Sequence, residues 1–280
     1  MTSEEKSSCC TIPAAKKLDR DYWNDQYVAE TTKWDLGQIS PALAHFFDGL
    51  TDKNSRILIP GCGSAYEAQY LLDKGFTHIT LIDIAPHLVA RLQKHFHGNP
   101  HIRVIQGDFF ELKGEFDLIV EQTFFCALPP TMRPKYVWKM HQLLAPKGML
   151  AGLLFNVQFE QNPPFGGSKS DYQQLFHGAF DLIELEETKL SAAPRLNSEL
   201  FFRFTKNEAA IVALYAFAGI TCNGCRTTVS QHFASIEHVL NVSMNNDFSE
   251  VLIVSTAPID ISILREKIQY EPHYTIEPIQ

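Results

Sequence analysis

Apolar residues fall in short runs separated by stretches of mixed character, and a regular alternation begins near residue 56. Arg56 to Pro60 (RILIP), His78 to Asp83 (HITLID), Ile102 to Gln106 and Phe116 to Val120 (FDLIV) are apolar on both faces, as buried parallel strands are. Helical spacing fills the gaps from about Ala65 to Lys74, closed by Gly75, and from about Pro86 to Phe96. A helix from about Thr131 to Leu144 leads through Pro146-Lys147-Gly148 to a strand at Met149 to Phe155. Strands alternating with helices of this length predict βαβ units, hence an α/β class with a mostly parallel, Rossmann-like sheet. Phe180 to Glu187 and Glu199 to Thr205 read as two later strands, an antiparallel finish at one edge. Upstream, Asp19 to Glu30 reads as a short helix and Trp34-Asp35-Leu36-Gly37 as a loop. Ser40-Pro41 reads as the N-cap and first-turn proline of a helix reaching about Leu50.

Near Lys206 to Glu208 the pattern changes. Strand (about Ala210 to Phe217), helix (about Cys225 to Ser235), strand (about His238 to Met244), strand (about Glu250 to Ser255), helix (about Ile259 to Ile268) and a last strand follow. That β-α-β-β-α-β order predicts a small α+β, ferredoxin-like domain. The expected organisation is a flexible tail at 1–18, a first domain at 19–206 and a second at 207–280.

Composition narrows the function. With 45% apolar and 20% charged residues in 280, intrinsic disorder, collagen and coiled coil are excluded as descriptions of the whole. Thirty-two acids against 24 bases give a net charge of −8, which argues against a chain that grips nucleic acid and favours small-molecule chemistry. The longest apolar run, Ala209 to Cys222, is short of the ~18 to 20 residues that cross a bilayer, so no membrane association is expected. The opening MTSEEKSSCCTIPAAKK lacks the apolar core of a secretory signal. Six cysteines, placed as a vicinal pair, two singletons and one C-x-x-C, read as reduced thiols, and a cytoplasmic protein is expected.

The first strand ends in Gly61-Cys62-Gly63 and runs into a helix, a turn that lets a ligand approach the backbone closely. Asp83 ends the second strand, where a carboxylate can accept from ribose hydroxyls. A dinucleotide loop would carry a small residue where Tyr66 stands, so the bulk there counts against a pyrophosphate. An adenosyl cofactor has none to cradle. Asp108-Phe109, just past the third strand, suits one: the carboxylate for the adenine amino group, the ring to cover the base.

WDLG at 34–37, ILIPGCGS at 57–64, IDI at 82–84, GDFFEL at 107–112 and FDLIVEQTFFCALPP-x-MR at 116–133 together resemble one family. It is the thiopurine S-methyltransferase superfamily, particularly its thiol/halide methyltransferase branch, over roughly residues 19–205. The resemblance implies a class I methyltransferase fold and S-adenosylmethionine as cofactor. It further implies cofactor contacts at Trp23, Trp34, Gly61, Asp83, Asp108 and Phe109. The family usually has glycine where Ala65 stands and an aspartate-tyrosine pair where Glu121-Gln122 stands. Gln122 thus replaces a phenol that faces the cofactor or the acceptor. Asn162-Pro163-Pro164-Phe165 spells a tetrapeptide with which DNA amino-methyltransferases hold a flipped base. There it directly follows the fourth strand, whereas here it follows the fifth, and it reads as a proline-rich lid or loop.

The expected reaction is methyl transfer to a small soft nucleophile such as a thiol, hydrosulfide, thiocyanate, halide or metalloid. A soft anion arrives already nucleophilic, so positioning and a dry site matter more than acid–base groups, and no catalytic residue is assigned. Trp23 and Trp34 can meet the cofactor's cationic centre with their π faces. Cys62 and Cys126 read as buried structural thiols, and His87, His95, His97 and His101 as a solvated surface.

Gly219-Ile220-Thr221-Cys222-Asn223-Gly224-Cys225 resembles the metal-binding loop of heavy-metal-associated domains. Thiolates at Cys222 and Cys225, one beside a helix N-terminus, suit a soft ion such as Cu(I), Zn(II) or Hg(II). Cys9-Cys10 is a further thiol pair with which an ion could be exchanged. The rival reading of the whole chain is a metal-binding protein whose methyltransferase fold no longer turns over.

Overall fold

The computed structural model describes residues 17–279, so Cys9 and Cys10 lie outside the described residues. In chain order the elements are α1 (Arg20–Val28), α2 (Pro41–Asp48), β1 (Ile57–Pro60), α3 (Tyr66–Asp73), β2 (Ile79–Asp83), α4 (Pro86–His95) and β3 (Ile102–Gln106). They continue with β4 (Phe116–Gln122), α5 (Arg133–Leu143), β5 (Leu144–Phe155), α6 (Lys169–Phe176), β6 (Phe180–Glu187) and β7 (Glu199–Lys206). These seven strands form one sheet in the order β3-β2-β1-β4-β5-β7-β6. The first five pair parallel, and β7 runs antiparallel between β5 and β6, as the sequence led us to expect.

The chain leaves β1 toward β2 and β3 and returns to β4 on the other side of β1. The carboxyl ends of β1 and β4 therefore diverge, and a crevice opens between the loops that follow them. Neighbouring residues of β1 face opposite ways: Ile57 and Ile59 pack with α2, α3 and α4, while Leu58 packs with α5 and α6. Both faces of β1 are covered, so that strand is apolar throughout, while the edge strands β3 and β6 carry polar and charged residues.

β8 (Ile211–Ala218), α7 (Asn223–Ala234), β9 (Val239–Met244), β10 (Glu250–Ser255), α8 (Ile261–Ile268) and β11 (Thr275–Pro278) follow. They build a second, antiparallel sheet in the order β11-β8-β10-β9. One face of it, with Tyr215, Phe217, Val251 and Ile253, packs on α7 and α8. Leu214, Leu252 and Val254, on the other face, join the same apolar cluster as Tyr136, Val137 and Met140 of α5. Helix α5 thus lies between the two sheets. Polar contacts close the seam: Asn207 Nδ2 donates to Gly178 O (2.8 Å), and Asn241 Nδ2 to Gln174 O (2.9 Å) and His177 O (3.1 Å).

Beyond shifts of a residue or two at other element ends, four elements differ from the sequence expectation. β5 begins at Leu144 rather than Met149, so Pro146-Lys147-Gly148 lies inside the strand. α6 was not expected: its composition is polar, and its signal is the capping box formed by Ser168 and Asp171. β4 continues through Glu121 to Gln122, because both residues still pair with β5. α5 begins at Arg133, with a 3-10 turn at Pro130–Met132 where the helix was expected to start.

Candidate active site

The crevice at the β1/β4 divergence is a cavity of about 1070 Å³. Trp23, Trp34, Gly61, Asp83, Asp108, Phe109 and Gln122, all seven cofactor positions read from the sequence, line it. Gly61 has φ +55°, and a Cβ there would run into the Phe124 ring, so the turn needs glycine on both counts. Asp83 is buried, and its Oδ1 accepts from Ala85 N at 2.9 Å. Burial pushes its carboxyl up to about 6, against backbone N–H groups of Ala85, Gly63 and Ile84 that favour the charge. Asp108 is exposed and accepts from Phe110 N at 2.8 Å, which orients its carboxylate over the start of the following turn. Phe109 is buried and meets Phe110 at 5.3 Å and Phe124 at 5.1 Å, edge to face.

Over the opposite wall, α1 and the following loop bring Trp23, Tyr27 and Trp34 into edge-to-face contact. Centroids lie 5.5 Å apart for Trp23–Trp34 and 5.8 Å for Tyr27–Trp34. Asp35 accepts from Ser64 Oγ, which ties this loop to the glycine turn.

A buried polar network that sequence reading missed fixes the third wall. Arg195 Nη2 donates to Trp34 O (2.6 Å), and Nη1 donates to Glu199 Oε1 (3.3 Å). The orientation of the Gln122 amide that satisfies its neighbours donates to Glu67 Oε1 and accepts from Arg195 Nη1, both at 3.0 Å. Glu67 is buried, which pushes its carboxyl up to about 7. Arg195 and Trp34 stand 161 residues apart in sequence, so no local signal links them.

Glu121 does not line the cavity. It is fully buried behind the turn, accepts from Phe124 N (3.0 Å) and Phe125 N (3.2 Å), and burial raises its carboxyl to about 7. Cys62 and Cys126 line the cavity but are buried, and burial pushes both thiols up. Asn162, Pro163 and Pro164 lie in a loop that lines the cavity together with Phe155 and Phe159. That loop is anchored where Phe165 N donates to Cys126 O (2.7 Å) and Arg133 Nη2 to Gly166 O (2.6 Å). His87, His95, His97 and His101 are exposed.

Cys222 is the N-cap of α7, and its Sγ accepts from Cys225 N at 3.3 Å and lies 2.9 Å from Cys225 Sγ. These contacts hold the Cys222 thiol below its ordinary pKa. The Tyr274 phenol, hydrogen-bonded to Cys225, is pushed up to about 12. Among the described residues no group of three or more His, Cys, Asp or Glu is placed to hold a metal ion, and no helix is long and apolar enough to cross a membrane.

The thiopurine S-methyltransferase family model matches residues 18–208. A probable thiol methyltransferase 2 of Arabidopsis thaliana is 33% identical over 192 residues, 66% of this chain and 84% of the relative. A thiopurine S-methyltransferase of Vibrio cholerae is 27% identical over 199 residues, 64% of this chain and 89% of the relative. Among solved structures, the Burkholderia thailandensis 1,6-didemethyltoxoflavin-N1-methyltransferase, with S-adenosylhomocysteine bound, superposes with TM-score 0.55 at 17% identity. That match covers 72% of this chain and 94% of the other. It shows a shared methyltransferase fold.

Proposed function

Since the chain belongs to the thiopurine S-methyltransferase family, as an S-adenosylmethionine-dependent S-methyltransferase of the thiopurine or thiol type, we propose that the β1/β4 cavity holds the cofactor and a soft acceptor side by side. The observation that carries this reading is the convergence of all seven sequence-read positions on that one cavity.

The residues fit the cofactor. Asp83 would accept from ribose hydroxyls, and Asp108 from the adenine amino group, with Phe109 and Phe110 covering the base. The glycine turn leaves room for close approach to the backbone at Gly61 and Gly63. Bound S-adenosylmethionine supplies an electrophilic methyl group on a sulfonium. Trp23, Tyr27 and Trp34 exclude water from that region and turn aromatic surface toward a cation. Arg195 and Gln122 mark the acceptor side, where the guanidinium favours an anionic thiolate, hydrosulfide or thiocyanate. The chain's contribution is orientation and exclusion of water, worth ~7–11 kcal/mol in well-aligned cases. Gln122 is a working part of this wall rather than a sign of decay, and the inactive reading is not favoured.

For residues 207–280, the β-α-β-β-α-β order and the strand order support a ferredoxin-like unit. Cys222 and Cys225 would hold a soft ion there. Two thiolates alone suit Cu(I) or Hg(II) better than Zn(II), which takes four ligands.

The test offers deuteromethyl-labelled S-adenosylmethionine with hydrosulfide, thiocyanate, iodide, a thiopurine, selenite and arsenite, and reads products by headspace and solution mass spectrometry. A labelled methyl product with at least one acceptor is expected. No product with any of them, and no binding of the cofactor, would overturn the reading.

A further inference from the structure

Among the described residues, the carboxylates that line the cavity are Asp19, Asp35, Glu67, Asp83 and Asp108, and no histidine lines it. Asp19 caps α1 by accepting from Tyr22 N (3.1 Å) and pairs with Lys17. Asp35 has both oxygens engaged, Oδ1 by Gly37 N (2.7 Å) and Oδ2 by Ser64 Oγ. Asp83 and Asp108 stand at the cofactor end in the reading above. Burial keeps the protons of Tyr27, Cys62 and Cys126 in place. Glu67, in the first turn of α3, is left, and it stands beside the acceptor wall.

Glu67 is 8% exposed, and its Oε1 accepts from the Gln122 amide, whose oxygen accepts from Arg195 Nη1, both at 3.0 Å. The Arg195 ion pair is with Glu199, so Gln122 is a neutral spacer between the guanidinium and Glu67, and no salt bridge locks Glu67 in its charged form. The backbone N–H groups of Glu67 and Ser40 also bond the carboxylate. A carboxylate offers about four lone-pair sites, which leaves one for a further donor. Of the charged groups that face Glu67, Arg195 favours its ionised form, and Asp35, from the loop after α1, opposes it. Cys62, in the glycine turn, is its remaining titratable neighbour. Burial outweighs these and holds the carboxyl up at about 7, so Glu67 can take up and release a proton at neutral pH.

We propose that Glu67 is a catalytic residue, the base that takes the proton of a neutral thiol acceptor seated against the Gln122–Arg195 wall. This rests on the acceptor side assigned to the cavity above. The S–H proton passes to a Glu67 carboxylate oxygen, and the sulfur lone pair so freed forms the new bond to the methyl carbon. The bond from that carbon to the sulfonium breaks, and its electron pair neutralises the sulfonium. A methyl thioether, S-adenosylhomocysteine and protonated Glu67 result, and Glu67 returns its proton to water when the products leave. The Arg195 guanidinium favours the thiolate as it forms. Thiocyanate and halide carry no proton and bypass Glu67, so this residue adds protonated thiols to the range of acceptors.

The experiment compares the full-length parent with Glu67→Gln, which keeps an oxygen for the Gln122 amide and loses the base. The probes are 2-mercaptoethanol, mostly protonated at pH 7, and thiocyanate and 4-nitrothiophenol, both anions there. An alkyl thiol is at most a few per cent thiolate at pH 7, so the variant, confined to that fraction, is expected to lose about 10- to 100-fold in kcat/KM for 2-mercaptoethanol. With the two anions its kcat/KM holds or rises, because a negative charge is gone from beside them. The parent's profile with 2-mercaptoethanol climbs only to pH about 7, whereas the variant's climbs on to the pKa of the thiol itself. Apart from turnover, the infrared difference between parent and variant should show a carboxyl titrating near 7, and calorimetry should find S-adenosylhomocysteine bound equally by both. An equal loss with all three probes, or weakened S-adenosylhomocysteine binding in the variant, overturns the proposal. A parent that methylates the anions and not 2-mercaptoethanol overturns it too, and leaves the acceptor site standing. A parent that methylates none of the three overturns the acceptor reading beneath it.

Discussion

Replacing Arg195 separates what the buried network does for the fold from what it does for the site. The Arg195 side chain is 9% exposed and its Glu199 partner 2%, so the pair is shielded from water. Glu199 Oε2 already has no hydrogen-bond partner, which makes the carboxylate depend on the guanidinium. Arg195→Met would leave that carboxylate buried and unpaired, and breaking a buried pair in this way costs about 3–5 kcal/mol. Removing both charges is milder: Arg195→Met/Glu199→Leu should regain most of the loss, ending within ~1–2 kcal/mol of the parent. Activity should not return with stability. The double variant still lacks the bond from Arg195 Nη2 to Trp34 O and the Gln122 contact, and with them the cation proposed for the acceptor side. Urea unfolding measures the first quantity, and kcat/KM for the best acceptor found in the label-transfer assay measures the second. A single variant that loses under ~1 kcal/mol, or a double variant no more stable than the single, would refute the reasoning.

Four further outcomes follow from individual residues. In the proposed site ribose hydroxyls would donate to the ionised form of Asp83, so cofactor affinity should fall as pH drops through about 6. Asp83→Asn should weaken binding by ~1.5–3 kcal/mol at neutral pH and flatten that dependence, as read by calorimetry across pH. Glu121 has its carboxyl raised from 4.5 to about 7, so the folded state holds its proton more tightly than the unfolded. Stability is therefore lost as pH rises through that window, and Glu121→Gln should gain up to ~3 kcal/mol above it and nothing below pH ~4.5, by urea melts at both ends. Ala65 caps α3 at φ +57°, the left-handed region, where the family usually has glycine; Ala65→Gly should stabilise by about 0.5–1 kcal/mol. With iodoacetamide near neutral pH, peptide mapping should find Cys222 alkylated well before Cys62 and Cys126, since its thiol is exposed and lowered while theirs are buried and raised.

The inner strands β1, β2 and β4 were legible because each is short, buried on both faces and bounded by turn residues, as Ile57–Pro60 is by Gly61. Gly61, Asp83, Asp108, Phe109 and Gln122 were legible because they sit at or just past strand ends, where the backbone alone places them, whereas Trp23 in α1 and Trp34 in the loop after it were read from the family resemblance. Arg195 and Glu67 were not legible, since they reach the cavity through tertiary packing. The docking of the C-terminal sheet on α5 did leave a trace. β8 reads Ile-Val-Ala-Leu-Tyr-Ala-Phe-Ala, apolar on both faces, whereas a sheet covered on one side only would alternate with polar residues. α5 carries the matching sign, with Tyr136 through His141 buried in succession, more than a single stripe requires.

Tryptophan emission tests the central claim most directly, because two of the three tryptophans line the cavity and the third, Trp138, is buried in α5. S-adenosylhomocysteine should change the emission saturably in the parent, and the change should vanish in Trp23→Phe/Trp34→Phe, which retains Trp138. No saturable change in the parent, or a full change in the variant, would contradict placing the cofactor between the Trp23–Trp34 wall and Asp83.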